Sequence, residues 1–131
     1  MQITRQADYA LRAVLYLAQL DQNQRASTSQ IAEEQSIPPS FLAKIISQLS
    51  VAGLITTSRG ARGGVMLARR PAEISLLEVV EAIDGPIMLN DCTLNGSACQ
   101  FSSNCILRPI WCDVRTDLVE RLRSTTFDMK S

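Results

Sequence analysis

Histidine is absent from all 131 residues. A site built from this chain therefore has no imidazole to move protons or to ligate a metal. Any metal must be held by sulfur, by a carboxylate or by a group from outside the chain. Also missing is any apolar run approaching the length of a membrane span, and the N-terminus carries no signal-peptide pattern. These absences predict a cytoplasmic protein with no membrane partner. No nucleotide or flavin motif is present, so a small redox enzyme or electron carrier has little to stand on.

What is present is enough for one domain, or a small domain with an appendage. The apolar fraction is 46% and charged residues make up 20%, which supports a core and argues against disorder. Net charge is zero but unevenly spread. Residues 1–70 carry eight basic side chains against four acidic ones, whereas residues 71–131 carry five against nine. Charge divided in this way points to a polyanion partner for the first half. Four arginines and no acid fall within residues 55–70 (Arg59, Arg62, Arg69 and Arg70).

The first half reads as three helices and a hairpin. Over residues 5–20, Ala7, Ala10, Leu11, Val14, Leu15 and Ala18 recur at helical spacing, with Thr4 as N-cap. Ser27 and Gln30 have the spacing of a reciprocal capping box, opening a short helix to about Ser36. Pro38-Pro39 then pre-sets the first turn of a third helix over about 39–52. On it Phe41, Leu42, Ile45, Ile46 and Leu49 form the expected inward stripe. Ser40, Lys44, Ser47 and Gln48 share the opposite face. An ordinary amphipathic helix of a bundle would look the same, but the residues that follow discriminate. Gly53 stops the helix, Leu54–Ser58 and Val65–Leu67 read as strands, and Arg59-Gly60-Ala61-Arg62-Gly63-Gly64 is a basic glycine-rich turn. A helix with small polar and basic residues outward, followed by a basic β-wing, fits double-stranded DNA. Lys44 suits phosphate or guanine, and Ser40, Ser47 and Gln48 can reach base edges. Gly60 lets the wing tip follow a groove closely, while Arg59 and Arg62 suit phosphates or a narrow minor groove.

The second half opens with another capping box, Ser75 with Glu78, on a helix that Gly85-Pro86 ends. A polar stretch over 86–104 follows, and Cys92, Cys99 and Cys105 fall within or at the end of it. Four cysteines in a reducing compartment argue for metal or redox chemistry rather than a disulfide frame. The spacing C-x6-C-x5-C-x6-C is neither a paired zinc motif nor a common ferredoxin run, so zinc, an iron–sulfur cluster and a thiol switch all stay open. Cys112 would lie about 10.5 Å along a continuous helix from Cys105, which favours a small apolar role for it at a subunit seam. After Cys105, Ile110, Trp111, Val114, Leu118 and Leu122 form an apolar stripe with little of the chain left to cover it. A symmetric partner helix would, so a homodimer is expected.

Three segments carry a family resemblance. MQITRQADYALRAVLYLAQL, the stretch SIPPSFLAKIISQLSVAGLITTSRGARGGVMLARRPAEISLLEVVEAIDG and the three-cysteine region resemble the Rrf-two family of bacterial regulators over nearly the whole chain. The resemblance implies a mainly α fold with a small β-wing. A winged helix-turn-helix domain (1–85) would lead into a cysteine-rich loop (86–105) and then a long C-terminal dimerisation helix and tail (106–131). It also implies a dimeric transcription factor, usually a repressor, that binds a near-palindromic operator. Such a factor carries an iron–sulfur cluster, [2Fe–2S] or [4Fe–4S], on Cys92, Cys99 and Cys105, and answers to nitric oxide, iron or redox state. Some relatives supply a fourth ligand as a histidine three residues after the third cysteine; here Arg108 stands there. Others use an aspartate of the partner's first helix, and Asp8 occupies that position. The competing reading of Asp8 is a carboxylate near a helix N-terminus that pairs with Arg12. Some relatives work without a cluster, so a cluster-free thiol or zinc switch on the same fold is the alternative.

Overall fold

A computed structural model describes residues 2–21, 24–61, 63–89 and 106–129. Five helices and one two-stranded antiparallel sheet make up the described residues: α1 (Arg5–Ala18), α2 (Thr28–Gln35), α3 (Pro39–Val51), β1 (Ile55–Ser58), β2 (Gly64–Leu67), α4 (Leu76–Asp84) and α5 (Arg108–Arg123).

Helix α1 is the central element. The Thr4 hydroxyl accepts the Ala7 N–H at 3.1 Å and starts it. Ala7, Ala10, Ala13, Val14 and Leu17 then bury one face. Three of those five are alanines, whose small side chains let α3 and α4 approach closely. Helix α2 begins with both halves of its capping box made, each at 3.0 Å between Ser27 and Gln30. It ends at Ser36, whose left-handed φ of +54° reverses the chain. Ile37 then drops into the core, its N–H donating to Ala32 O at 2.9 Å. Pro39 opens α3, whose buried side is Leu42, Ile45, Ile46 and Leu49.

Phe41 is a correction to the expected inward stripe, because its side chain is 40% exposed. At about 100° per residue it sits nearer to Lys44 and Gln48 than to Leu49, and the buried face is full without it.

The wing pairs Ile55 with Leu67, Thr56 with Met66, Thr57 with Val65 and Ser58 with Gly64. Its return strand is tied to the residue before the α2 cap, since Val65 N–H donates to Ala26 O at 2.7 Å and Ala26 N–H returns to Val65 O at 3.1 Å. Helix orientation and wing position are thus set by one small patch of backbone.

Helix α4 starts on the expected Ser75–Glu78 capping box and ends at Gly85 with φ +77°. Helix α5 starts at Arg108 with Pro109 in its first turn, so Cys105 precedes it. Its second half, through Leu118, Val119 and Leu122, packs on Leu77, Val80 and Ile87. Ile106, Leu107, Ile110, Trp111 and Val114 remain exposed. Beyond α5 the chain returns to the core. Phe127 is only 2% exposed, and its N–H points at the carbonyls of Pro71 (3.1 Å) and Ile74 (3.2 Å). Thr126 bridges to Ser75 beside it.

Candidate nucleic-acid interface

Ser40, Lys44 and Ser47 are exposed on one side of α3 and Gln48 is half-buried beside them. The fold therefore brings four of the sequence-derived candidates onto one helix face. Ala43 and Val51 share that face. In the wing, Arg59 and Gly60 are exposed at the tip, and Gly60 has φ +99°. Arg62 lies outside the described residues. The tip is closed by Gly63 N–H donating to Gly60 O at 2.9 Å. Gly63 itself is obligatory for that turn: a Cβ there would stand 2.4 Å from Ser58 O. Sequence reading did not single out Thr56 and Ser58, whose exposed hydroxyls lie along β1 next to Arg59. A run of small β-branched and hydroxyl residues leading into an arginine was the available signal.

The basic character of residues 55–70 is narrower than the sequence implied. Arg69 Nη2 pairs with Glu78 at 2.9 Å, and Arg70 Nη2 with Glu73 at 2.8 Å. Both arginines are occupied in tying β2 to α4 and to the Pro71–Glu73 turn. By contrast, Lys44 and Arg59 have no ion-pair partner among the described residues. Cations without an internal carboxylate, on a protruding helix face and a protruding hairpin, are what a phosphate backbone requires.

Asp8 lies in the first turn of α1, its side chain 50% exposed, with Oδ2 accepting Arg12 Nε at 2.9 Å. One carboxylate oxygen is thereby engaged, as the pairing reading anticipated, and Oδ1 has no hydrogen-bond partner among the described residues. The Thr4 hydroxyl, at the start of the same helix, donates to Asp84 Oδ1 at 2.6 Å. At the start of the cysteine region, Arg115 Nε of α5 donates to Ile87 O at 2.7 Å. Cys92, Cys99 and Cys105 lie outside the described residues. Cys112, in α5, is a half-buried free thiol. Arg108 Nε is buried and has no hydrogen-bond partner among the described residues.

A helix-turn-helix whose second helix presents Lys44, followed by a wing tipped with Arg59, defines a winged-helix DNA-binding protein. The chain belongs to the Rrf2 family, described as an iron-dependent transcriptional regulator, which matches residues 3–129. It is a transcription regulator and not an enzyme. Among its relatives is the HTH-type transcriptional regulator NsrR of Geobacillus kaustophilus, 38% identical over 109 residues, covering 82% of this chain and 74% of that one. Among solved structures, IscR of T. potens superimposes with a TM-score of 0.78 at 27% identity, over 98% of this chain and 85% of that one. CymR, the global cysteine regulator of B. subtilis, shares the fold, with a TM-score of 0.78 at 24% identity over 98% of this chain and 94% of that one. Among the described residues no helix is long and apolar enough to cross a membrane.

Proposed function

We propose that this chain is a cytoplasmic, homodimeric repressor whose hold on a near-palindromic operator is switched by an iron–sulfur cluster. Ser40, Lys44, Ser47 and Gln48 read or approach the major groove, while Arg59, Gly60 and Arg62 follow the backbone or minor groove. The observation that carries the DNA half of this reading is the contrast between Lys44 and Arg59, which have no ion-pair partner among the described residues, and the internally paired Arg69 and Arg70.

Cys92, Cys99 and Cys105 would hold the cluster, with the carboxylate of Asp8 of the partner subunit as fourth ligand. The residues fit such a group on two counts. A chain with three closely spaced thiols and no histidine has a soft donor set suited to iron–sulfur chemistry. Arg108, three residues after Cys105, holds a buried N–H that lacks an acceptor among the described residues, and an anionic sulfur-ligated group would supply one. When bound, the cluster supplies redox activity and sensitivity to nitric oxide, oxygen or iron shortage. A carboxylate is a hard donor on soft iron–sulfur, which favours easy loss.

The chain's own residues tie the start of the cysteine region to the fold: Thr4 on Asp84, just ahead of it, and Arg115 of α5 on the Ile87 carbonyl. Arg115 belongs to α5, whose exposed Ile110, Trp111 and Val114, with Ile106 and Leu107 just ahead of the helix, we assign to the subunit contact. A change in the cysteine region is thereby passed to the helix that sets the spacing of the two α3 helices, which must match about one turn of DNA.

Anaerobic purification followed by a visible spectrum and assay of iron and sulfide per monomer tests the cluster. A brown protein that bleaches with nitric oxide or air, losing or changing operator affinity as it does, is expected. A colourless protein that never accepts iron and sulfide overturns this reading in favour of a thiol or zinc switch.

A further inference from the structure

Phe41 is a large apolar side chain on the DNA-facing helix, and nothing in the helix-turn-helix requires it to face outward. It is the third residue of α3, in the N-terminal part that approaches base edges in this class of module. Positions 41, 44 and 48 follow the i, i+3, i+7 helical repeat, so Phe41 shares a stripe with Lys44 and Gln48. Its exposed ring is held by Tyr9 of α1, with centroids 6.2 Å apart and planes tilted by 52°. That geometry lies within the favoured range for aromatic pairs and restricts the phenyl ring before any partner arrives.

The chemistry of the face shows what such a ring could add. Ser40, Lys44, Ser47 and Gln48 can satisfy donors and acceptors on base edges. None of them can report the thymine 5-methyl group, the one apolar feature of the major-groove edge. Ala43, exposed on the same face, reaches no farther than its Cβ.

We propose that Phe41 is a specificity residue that packs on a thymine methyl group in each operator half-site, with Tyr9 as its positioning residue. This rests on the DNA-binding reading of α3 above. Without DNA the phenyl edge stays in water; on binding, ring and methyl desolvate each other. Because Tyr9 has already limited the rotamers of Phe41, less side-chain freedom remains to be lost.

The test uses the full-length chain and a duplex that it selects from a randomised pool. Thymines of that duplex are replaced one at a time by deoxyuridine, which removes only the methyl group. One symmetric pair of positions is expected to weaken wild-type binding by about fourfold per half-site, the effect of one buried carbon. Phe41→Ala should bind the thymine and uracil duplexes alike while keeping the wild-type salt dependence. Phe41→Leu should keep part of the discrimination, and it carries the test should the alanine variant fail to fold. Tyr9→Phe should preserve discrimination, and Tyr9→Ala should reduce it at unchanged salt dependence.

Uniform indifference to deoxyuridine, or full discrimination retained by Phe41→Ala, overturns the proposal. So does conversion of the dimer to monomer in Phe41→Ala, which would assign the ring to the subunit contact. Failure to enrich any duplex would instead remove the DNA-binding reading on which the proposal stands.

Discussion

Thr4 caps helix α1 and, through the same hydroxyl, donates to Asp84 at the end of helix α4, 2.6 Å away. One side chain thus fixes the start of the helix that carries Asp8 to the end of the helix that leads into the cysteine region. Thr4→Ala removes both the cap and the tie. We expect a loss of about 1–2 kcal/mol in urea unfolding. Thr4→Ser, which keeps the hydroxyl, should recover most of it.

Phe127 closes the core from a tail that follows α5. Its ring is buried, and the backbone around it is tied to Pro71, Ile74 and Ser75. Phe127→Ala should cost about 3–5 kcal/mol, within the range for deleting a buried aromatic ring. Thermal unfolding monitored by circular dichroism reads this directly. Phe127→Leu should lose much less.

How far the fold was legible depended on the range of the signals. The two capping boxes, Ser27–Gln30 and Ser75–Glu78, formed as their spacing implies, because each is complete within four residues. The helix stops at Gly53 and Gly85 and the two-stranded wing are equally local. Phe127 was invisible for the opposite reason: a lone aromatic among polar residues has no period, and its partners lie more than fifty positions earlier. Phe41 was misassigned because it stands at the border of the buried stripe, where only the packing of α1 decides its side. Arg69 and Arg70 were counted with the DNA-facing charges because an ion pair such as Arg69–Glu78 depends on how the chain turns between β2 and α4. Of the candidate site, the α3 face and the tip at Arg59 and Gly60 could be read from pattern, while the engagement of Asp8 by Arg12 was one of two open readings.

Gly63→Ala tests the wing independently of its charge. The added Cβ would lie 2.4 Å from Ser58 O and 2.7 Å from the Arg59 carbonyl carbon. Both are backbone atoms that cannot swing away as a side chain would. Opening the turn displaces Arg59, so operator affinity should fall on the order of tenfold, the effect of roughly 1–3 kcal/mol of backbone strain. Global stability should change little, since the tip is exposed. A fluorescence-anisotropy titration beside a urea melt separates the two effects.

The Arg70–Glu73 pair sets a mild acid dependence. A side-chain hydrogen bond from Arg70, reinforced by its charge, lowers the Glu73 carboxyl below its ordinary value of 4.5. A lowered folded-state value means that the stabilisation is present above the ordinary value and is lost as pH falls through the folded one. Glu73→Gln should therefore be less stable than wild type at pH 7, with the gap closing as pH falls below the ordinary carboxyl value and through the lowered one. Both side chains face solvent, so the gap should be small and should shrink with added salt. Urea midpoints collected across pH 3–7 at two salt concentrations would show no gap, or one that neither pH nor salt changes, if the pair were silent.

The division of cations between internal pairs and the interface can be measured by salt dependence. Each phosphate contact removed lowers the slope of log affinity against log salt by about 0.9. Lys44→Ala, acting once per half-site, should reduce the slope of a dimer by about 2 and weaken binding across sequences, if Lys44 meets phosphate. Were Lys44 instead bound to guanine, the slope would change less and one base position would lose its preference. Arg70→Ala should leave the slope unaltered, because its guanidinium is committed to Glu73. A slope that falls equally in both variants would mean that Arg70 leaves Glu73 on binding, and would extend the DNA contact from the wing to the base of β2.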